Sequence, residues 1–351
     1  LISHRGAYEL KFLSSVLIVC IFFLITNDAL AAAASSLQGR RSIDLTYSIN
    51  ISALNNDNHK DAKLLRVWIP VPSEDTHQRI LDIDIVNAPA DVELNMDALW
   101  GNSMIYFELP ARLSKGLDFE IRYRIERIDD VMAMGVEPHS HEDKSQLFKR
   151  FLEPSRQAIQ DKRVKRLAER AVKGRKGSLD KARGIYDFTL ENMEYTNKIP
   201  GYGKGNVNRA CLAIGEGKKG SGNCTDFHSL FTALMGVEQI PSVFEMGISL
   251  KEKNAKNVEA EGYHCWVSFF VPGKGWVAAD LSEAVKTPSK RDYYFGAIDS
   301  DRIKFSQGRD ILLNPAQEGE PLNFFGPAPY MELGALPFTD FELKITYSDI
   351  K

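Results

Sequence analysis

The chain runs to 351 residues, with 44% hydrophobic and 26% charged side chains and a formal net charge of −3. That length can hold two ordinary domains with separate cores, and the composition is that of a soluble globular protein. So small a net charge gives no basis for polyanion attraction over the whole molecule, and no nucleic-acid partner is expected.

The first element is a leader. His4, Arg5 and Lys11 precede an apolar run from Phe12 to Ile25, and Ala29-Leu30-Ala31 follows as a small-residue cleavage signal. This is the layout of a secretory signal peptide over 1–31, cut after Ala31, which makes the mature protein secreted or periplasmic. The run is short of the roughly 20 residues a bilayer-spanning helix needs, so no integral membrane anchor is expected after cleavage. Cys20 leaves with the leader, so Cys211, Cys224 and Cys265 remain. With an odd number in an oxidising compartment, at least one thiol stays free or pairs between molecules.

Residues 41–129 read as strands. IDLTYSINIS, LLRVWIPVP, ILDIDIV, MIYFEL and FEIRYRIERI are rich in β-branched and aromatic residues with a period near two. Turn clusters separate them, and the spacing predicts an antiparallel β-sandwich that carries no chemistry of its own.

Helical patterning follows. Between Lys144 and Arg183 stand 14 Lys or Arg against four acids, a local net charge of +10. This reads mainly as a solvated helical face, with weak contact to an anionic surface through 144–183 as the functional version. A second helix is expected near Leu179 to Met193. The glycine-rich stretch 197–209 lacks the lysine-threonine ending and the preceding strand of a phosphate-binding loop.

GSGNCTDFHSLF, residues 220–231, then places Cys224 between glycines and an amphipathic helix with Phe227, Leu230, Phe231 and Leu234 on one stripe. Ser221, Gly222 and Asn223 are candidate caps. At a helix start, unpaired N–H groups and the positive dipole end favour thiolate over thiol and can stabilise an oxyanion. A nucleophile of this kind needs a base, and the base needs an orienting group. His228 lies one turn along the same helix. His264 opens a β-hairpin, GYHCWVSFFVPGKGWVAAD (262–280), which Asp280 ends. A three-residue loop over Val271–Gly273 would set Asp280 directly opposite His264. The same loop over Pro272–Lys274 would make them diagonal neighbours on one face. Strand alternation turns Cys265 away from His264, as a packed residue behind it.

These residues resemble the transglutaminase-like superfamily, in particular its exported bacterial members regarded as cysteine proteases. That family's pattern is Gly-x-Cys-x-Asp-x-x-x-Leu-Phe, then His-x-Trp, then Gly-Trp-x-x-x-Asp. Here it is supplied by Gly222, Cys224, Asp226, Leu230, Phe231, His264, Trp266, Gly275, Trp276 and Asp280. The resemblance implies an α+β, papain-like catalytic domain over 140–300, preceded by the β-sandwich. It makes Cys224 the nucleophile, His264 the base and Asp280 the orienting acid of a thiol hydrolase or acyltransferase acting on amide or peptide bonds. Thr225 stands where animal transglutaminases carry Trp, and their acidic calcium ligands are not recognisable, so glutamine–lysine cross-linking is not implied.

Asp226, His228 and Trp266 are expected to support the pocket: a first-turn acid favoured by the helix dipole or tied to a backbone donor, a helix-face or pocket-wall residue, and a hairpin aromatic on the face of His264. No cofactor and no metal are expected, because no paired Cys-x-x-Cys or His-Glu-x-x-His occurs. Asn223-Cys224-Thr225 matches a glycosylation acceptor, but a sugar there would block the helix start. Residues 301–351 read as an extension completing the fold. A protein or peptide substrate is expected; the competing expectation is an inactive version of the same fold serving as a binding or assembly module.

Overall fold

The computed structural model describes residues 39–53, 63–87, 91–112, 115–132 and 148–350. The leader expected over 1–31 lies outside them.

Strict alternation makes the first long strand. In β1 (Arg40–Ile51), Ile43, Leu45, Tyr47, Ile49 and Ile51 are buried while most of the intervening residues reach solvent. Next come β2 (Leu64–Pro70), β3 (Gln78–Val86), β4 (Glu93–Met96), β5 (Ser103–Pro110), β6 (Leu117–Ile128) and the two-residue β7 (Asp130–Val131). The helical part contains α1 (Lys162–Ala171), α2 (Ser178–Asn192), β8 (Met193–Tyr195), α3 (Val207–Gly215), β9 (Gly220–Gly222) and α4 (Cys224–Val237). Then follow β10 (Ser242–Ser249), β11 (Val258–Glu259), the hairpin of β12 (His264–Val271) and β13 (Gly275–Ala279), and α5 (Leu281–Lys286). The last strands are β14 (Ala297–Ile298), β15 (Arg302–Gln307), β16 (Tyr330–Leu333), β17 (Leu336–Pro337) and β18 (Phe341–Ile350).

Two five-stranded sheets, ordered β11-β18-β1-β6-β3 and β17-β16-β2-β5-β4, enclose one apolar core as a sandwich. The chain's end is built into it. β18 pairs antiparallel with β1 from Ser42↔Ile350 to Ile51↔Phe341, and β16 pairs with β2. Arg41 latches the closure, donating to Asp349 at 2.9 Å and to Asp301 at 2.8 Å.

A four-stranded sheet, β13-β12-β10-β15, serves both cores. Val267, Phe269 and Val271 of β12 pack into the helical core, whereas Ile248, Ile303 and Phe305 extend into the sandwich core. Against this sheet lies α4, with 12 of its 14 residues buried. The expected single apolar stripe understates this enclosure, because strands and the other helices surround α4.

Several cations of the basic stretch find acids outside it. Arg156 pairs with Asp310 and Glu320, Lys181 with Glu238, and Arg183 with Asp187 and Asp292, while Arg175 pairs with Asp180 within it. Among the described residues no helix is long and apolar enough to cross a membrane.

Candidate active site

Cys224 is the first residue of α4, and local chemistry sets it there. The Asn223 side chain accepts from Thr225 N at 3.0 Å, and the Asp226 carboxylate accepts from Asn223 N at 3.0 Å, a reciprocal capping box. The Cys224 sulfur therefore sits at the end of α4 where backbone N–H groups lack partners within the helix.

Asp226 does more than cap. Its oxygens also accept from Gly203 N at 2.7 Å, Gly205 N at 3.2 Å and Arg209 Nη2 at 2.9 Å. One buried carboxylate thus ties the glycine-rich loop to the head of α4. Two glycines allow the approach: a Cβ at Gly222 would run into the Asp226 carboxylate, and one at Gly205 into Ser229 Oγ.

His264 and Asp280 meet across the hairpin. Val271 pairs with Gly275 and Val267 with Ala279, so the loop is Pro272–Lys274 and the two residues are diagonal neighbours. His264 Nε2 lies 2.6 Å from Asp280 Oδ2. Oδ1 of the same carboxylate caps α5, accepting from Glu283 N at 3.0 Å and Ser282 Oγ at 2.9 Å. Arg302, buried on β15, donates to Asp280 Oδ2 at 3.3 Å. Burial alone would raise the Asp280 carboxyl, but His264 and Arg302 hold it well below the carboxylate range. In turn the carboxylate overcomes the burial of His264 and pushes its imidazole up to about 9.

With Nε2 committed to Asp280, Nδ1 is the His264 nitrogen left for Cys224, and thiol and imidazole each favour the other's charged form. Cys265 first, and His264 further, hold the Cys224 thiol well below its ordinary value against its burial. The favoured state is thiolate beside imidazolium. Cys211 shows the opposite, pushed up to about 12 by burial in the helical core.

Cys265, the neighbour of His264 on β12, is fully buried. Its sulfur lies 3.5 Å from His228 Nδ1 and 3.8 Å from Thr225 Oγ1, and it clusters with Cys224, Phe244 and Met246. His264 stands at the very start of β12. His228, buried, accepts from Leu281 N at 3.0 Å through Nε2, and burial depresses it to about 4. Trp266 backs the His264 ring with centroids 6.0 Å apart.

Sequence reasoning missed several contributors. Tyr263 OH accepts from Asn223 Nδ2 at 2.7 Å and packs against Phe324, and both rings adjoin the Cys224 cluster. Cys224 is left 3% exposed. Phe324 and Arg302 come from the tail, where no periodicity or motif marks them. Ligand atoms of His264, Asp280 and Glu283 lie within 4.8 Å of one another. However, the Asp280 carboxylate already faces His264 and Arg302, so a metal cation there would meet positive charge.

Residues 165–281, which contain Cys224, His264 and Asp280, match the family model of the transglutaminase-like superfamily. An uncharacterised protein of Haemophilus influenzae is 26% identical over 313 residues, covering 79% of this chain and 83% of that protein. The crystal structure of a proposed cysteine protease from Cytophaga hutchinsonii is similar with a TM-score of 0.56 at 15% identity, covering 90% of this chain and 100% of the other. The periplasmic domain of TgpA from Pseudomonas aeruginosa gives a TM-score of 0.36 at 13% identity, covering 70% of this chain and 90% of that domain. The fold is transglutaminase-like, of the α+β class, with sheet-rich N-terminal strands.

Proposed function

We propose that this chain, which carries a transglutaminase-like core, is an exported cysteine-dependent acyl-transfer enzyme acting on amide or peptide bonds. Cys224 is its nucleophile, His264 its acid and base, and Asp280 the group that orients His264. The observation that carries the reading is the array itself: a sulfur at a capped helix start, an imidazole beside it, and a buried carboxylate 2.6 Å from that imidazole.

The chemistry follows from the charges. Cys224 thiolate attacks the carbonyl carbon, and the backbone N–H of Cys224 is placed to donate to the developing oxyanion. The C–N bond breaks as His264 Nδ1–H protonates the leaving amine, which leaves a thioester on Cys224 and a neutral imidazole. His264 then removes a proton from the acceptor. Water yields a carboxylic acid and free enzyme, and an amine yields a new amide. Asp280 keeps the ring oriented throughout, with Arg302 holding the carboxylate in place.

The 3% exposure of Cys224, in a cluster against which Tyr263 and Phe324 pack, favours a second reading, the same fold retained as a binding module. An active-site titration with p-nitrophenyl acetate separates the two. The enzyme reading expects a nitrophenol burst equal to the protein concentration, an acetyl group on the Cys224 peptide, and loss of both in Cys224→Ser and His264→Ala. With no acyl group on Cys224, the binding module takes its place. Export rests on the run 12–25 and Ala29-Leu30-Ala31; a mature N-terminus other than Ala32 would remove the proposed cut.

A further inference from the structure

Two thiols share one apolar cluster here. Cys224 and Cys265 pack together with Phe244 and Met246, and all three remaining cysteines are unbridged. A second thiol beside a nucleophile has a definite proton arrangement in this setting. Leu281 N–H donates to His228 Nε2 at 3.0 Å, so that nitrogen presents a lone pair and the ring proton is on Nδ1. His228 Nδ1–H then donates to the Cys265 sulfur at 3.5 Å. With a lone pair of Cys265 taken by this donor, its own S–H is left to point elsewhere. Thr225 Oγ1 at 3.8 Å is a distant neutral acceptor, whereas a Cys224 thiolate is a charged one.

We propose that Cys265 is a positioning residue for the nucleophile: it donates its S–H to the Cys224 sulfur, and His228, fixed by the Leu281 amide, aims it. The inference rests on Cys224 being the nucleophile. It adds an uncharged donor to the charged one that His264 supplies. In the resting state the Cys265 hydrogen bond stabilises negative charge on Cys224. When the thioester forms that charge is gone, so the contact weakens and favours expulsion of the thiolate in the second step. No proton leaves Cys265 at any stage.

Other groups act on these sulfurs and set the background. They are His228 from α4, His264 from β12, Asp280 at the head of α5, Tyr195 and Tyr263, and Arg309 on the Cys265 side. A test must hold all of them constant while changing one sulfur.

The experiment is a pH titration of thiolate ultraviolet absorbance, which needs no reagent to reach the buried sulfur. It uses the mature protein carrying Cys211→Ser, and compares Cys265→Ala, Cys265→Ser, His264→Ala and Cys224→Ser, each checked for an unchanged thermal midpoint. The expected result is a Cys224 band present at neutral pH. Its midpoint should rise by about one pH unit or more in Cys265→Ala, as befits a lost bond to a charged group. Cys265→Ser, which keeps a donor, should stay near the parent. A midpoint unmoved by Cys265→Ala but raised by His264→Ala would overturn the inference and leave the nucleophile reading standing. Absence of a neutral-pH band from Cys224 would overturn both. If Cys265→Ala fails to fold, a raised midpoint in Cys265→Ser supports nothing of the proposal and counts against it, since the hydroxyl retains the donor.

Discussion

His264 Nε2 and Asp280 Oδ2 lie 2.6 Å apart, buried, with Arg302 Nη2 on the same oxygen at 3.3 Å. The carboxylate therefore has two roles, orienting the imidazole and neutralising an arginine that water cannot reach. Asp280→Asn and Asp280→Ala should separate them. Asn keeps the shape but removes the charge, so acylation of Cys224 should slow by about 10²–10⁴-fold with modest loss of stability. Ala also takes one of the two carboxylates from Arg302, leaving Asp299 at 3.2 Å, and uncaps α5, and should cost about 2–4 kcal/mol by denaturant unfolding.

The acylation rate should plateau between two titrations. Cys224 is depressed from an ordinary 9.0, so its thiolate contributes stability above that pH and loses it only as pH falls through the depressed value. His264 is raised from 6.5 to about 9, so its charged form contributes fully below pH 6.5, and that contribution is lost as pH rises through about 9. The charged pair is complete only between the two folded-state values. Turnover should fall above about pH 9, when the proton owed to the leaving amine is gone. A turnover profile still rising through that pH would contradict the assignment.

Asp226 gathers three backbone amides and Arg209. Asp226→Ala should release the loop 197–209, which carries Lys198, Lys204 and Arg209 as tryptic sites. We expect cleavage there in the native state and a stability loss of about 3 kcal/mol, since buried donors are left unpaired. Unchanged trypsin resistance would mean that the loop holds without this carboxylate.

Arg41 bonds to Asp301 and Asp349 with its side chain almost wholly enclosed. Replacing it by Met keeps much of the volume and removes the latch between β1, β18 and the strand β15 region. Thermal unfolding should fall by several degrees, corresponding to about 2–4 kcal/mol, while acylation of Cys224 in the folded protein stays unchanged. A parallel loss of acylation at low temperature would show that closure of the sandwich also shapes the site.

The parts of this molecule legible in its sequence are those whose determinants are close along the chain. The cap at Asn223, the acid at Asp226 and the thiol at Cys224 are within a few residues of one another, so hydrogen-bond geometry at a helix start is enough to place them. His264 and Asp280 are brought together by a hairpin whose loop length admits few registers, and one of the two allowed on paper is the one observed. The long alternating strands β1 and β6 announce a half-buried sheet by period alone.

Alternation along β12 separates Cys265 from His264 but does not name what Cys265 meets; His228 and Thr225 of α4 supply that.

What the sequence by itself determined is local: the capped helix with a sulfur at its head, the hairpin carrying imidazole and carboxylate, and the strands of a sandwich. Only the tertiary structure decided what those pieces touch. It brought Arg302 to Asp280, packed Phe324 and Tyr263 against the cluster that holds the thiol, set Cys265 beside Cys224, and returned β18 to pair with β1. Such contacts span tens to hundreds of residues and leave no periodicity in the chain. They arise because buried charges must find partners and apolar surfaces must be covered, and those demands are met by whichever segment the packing brings near.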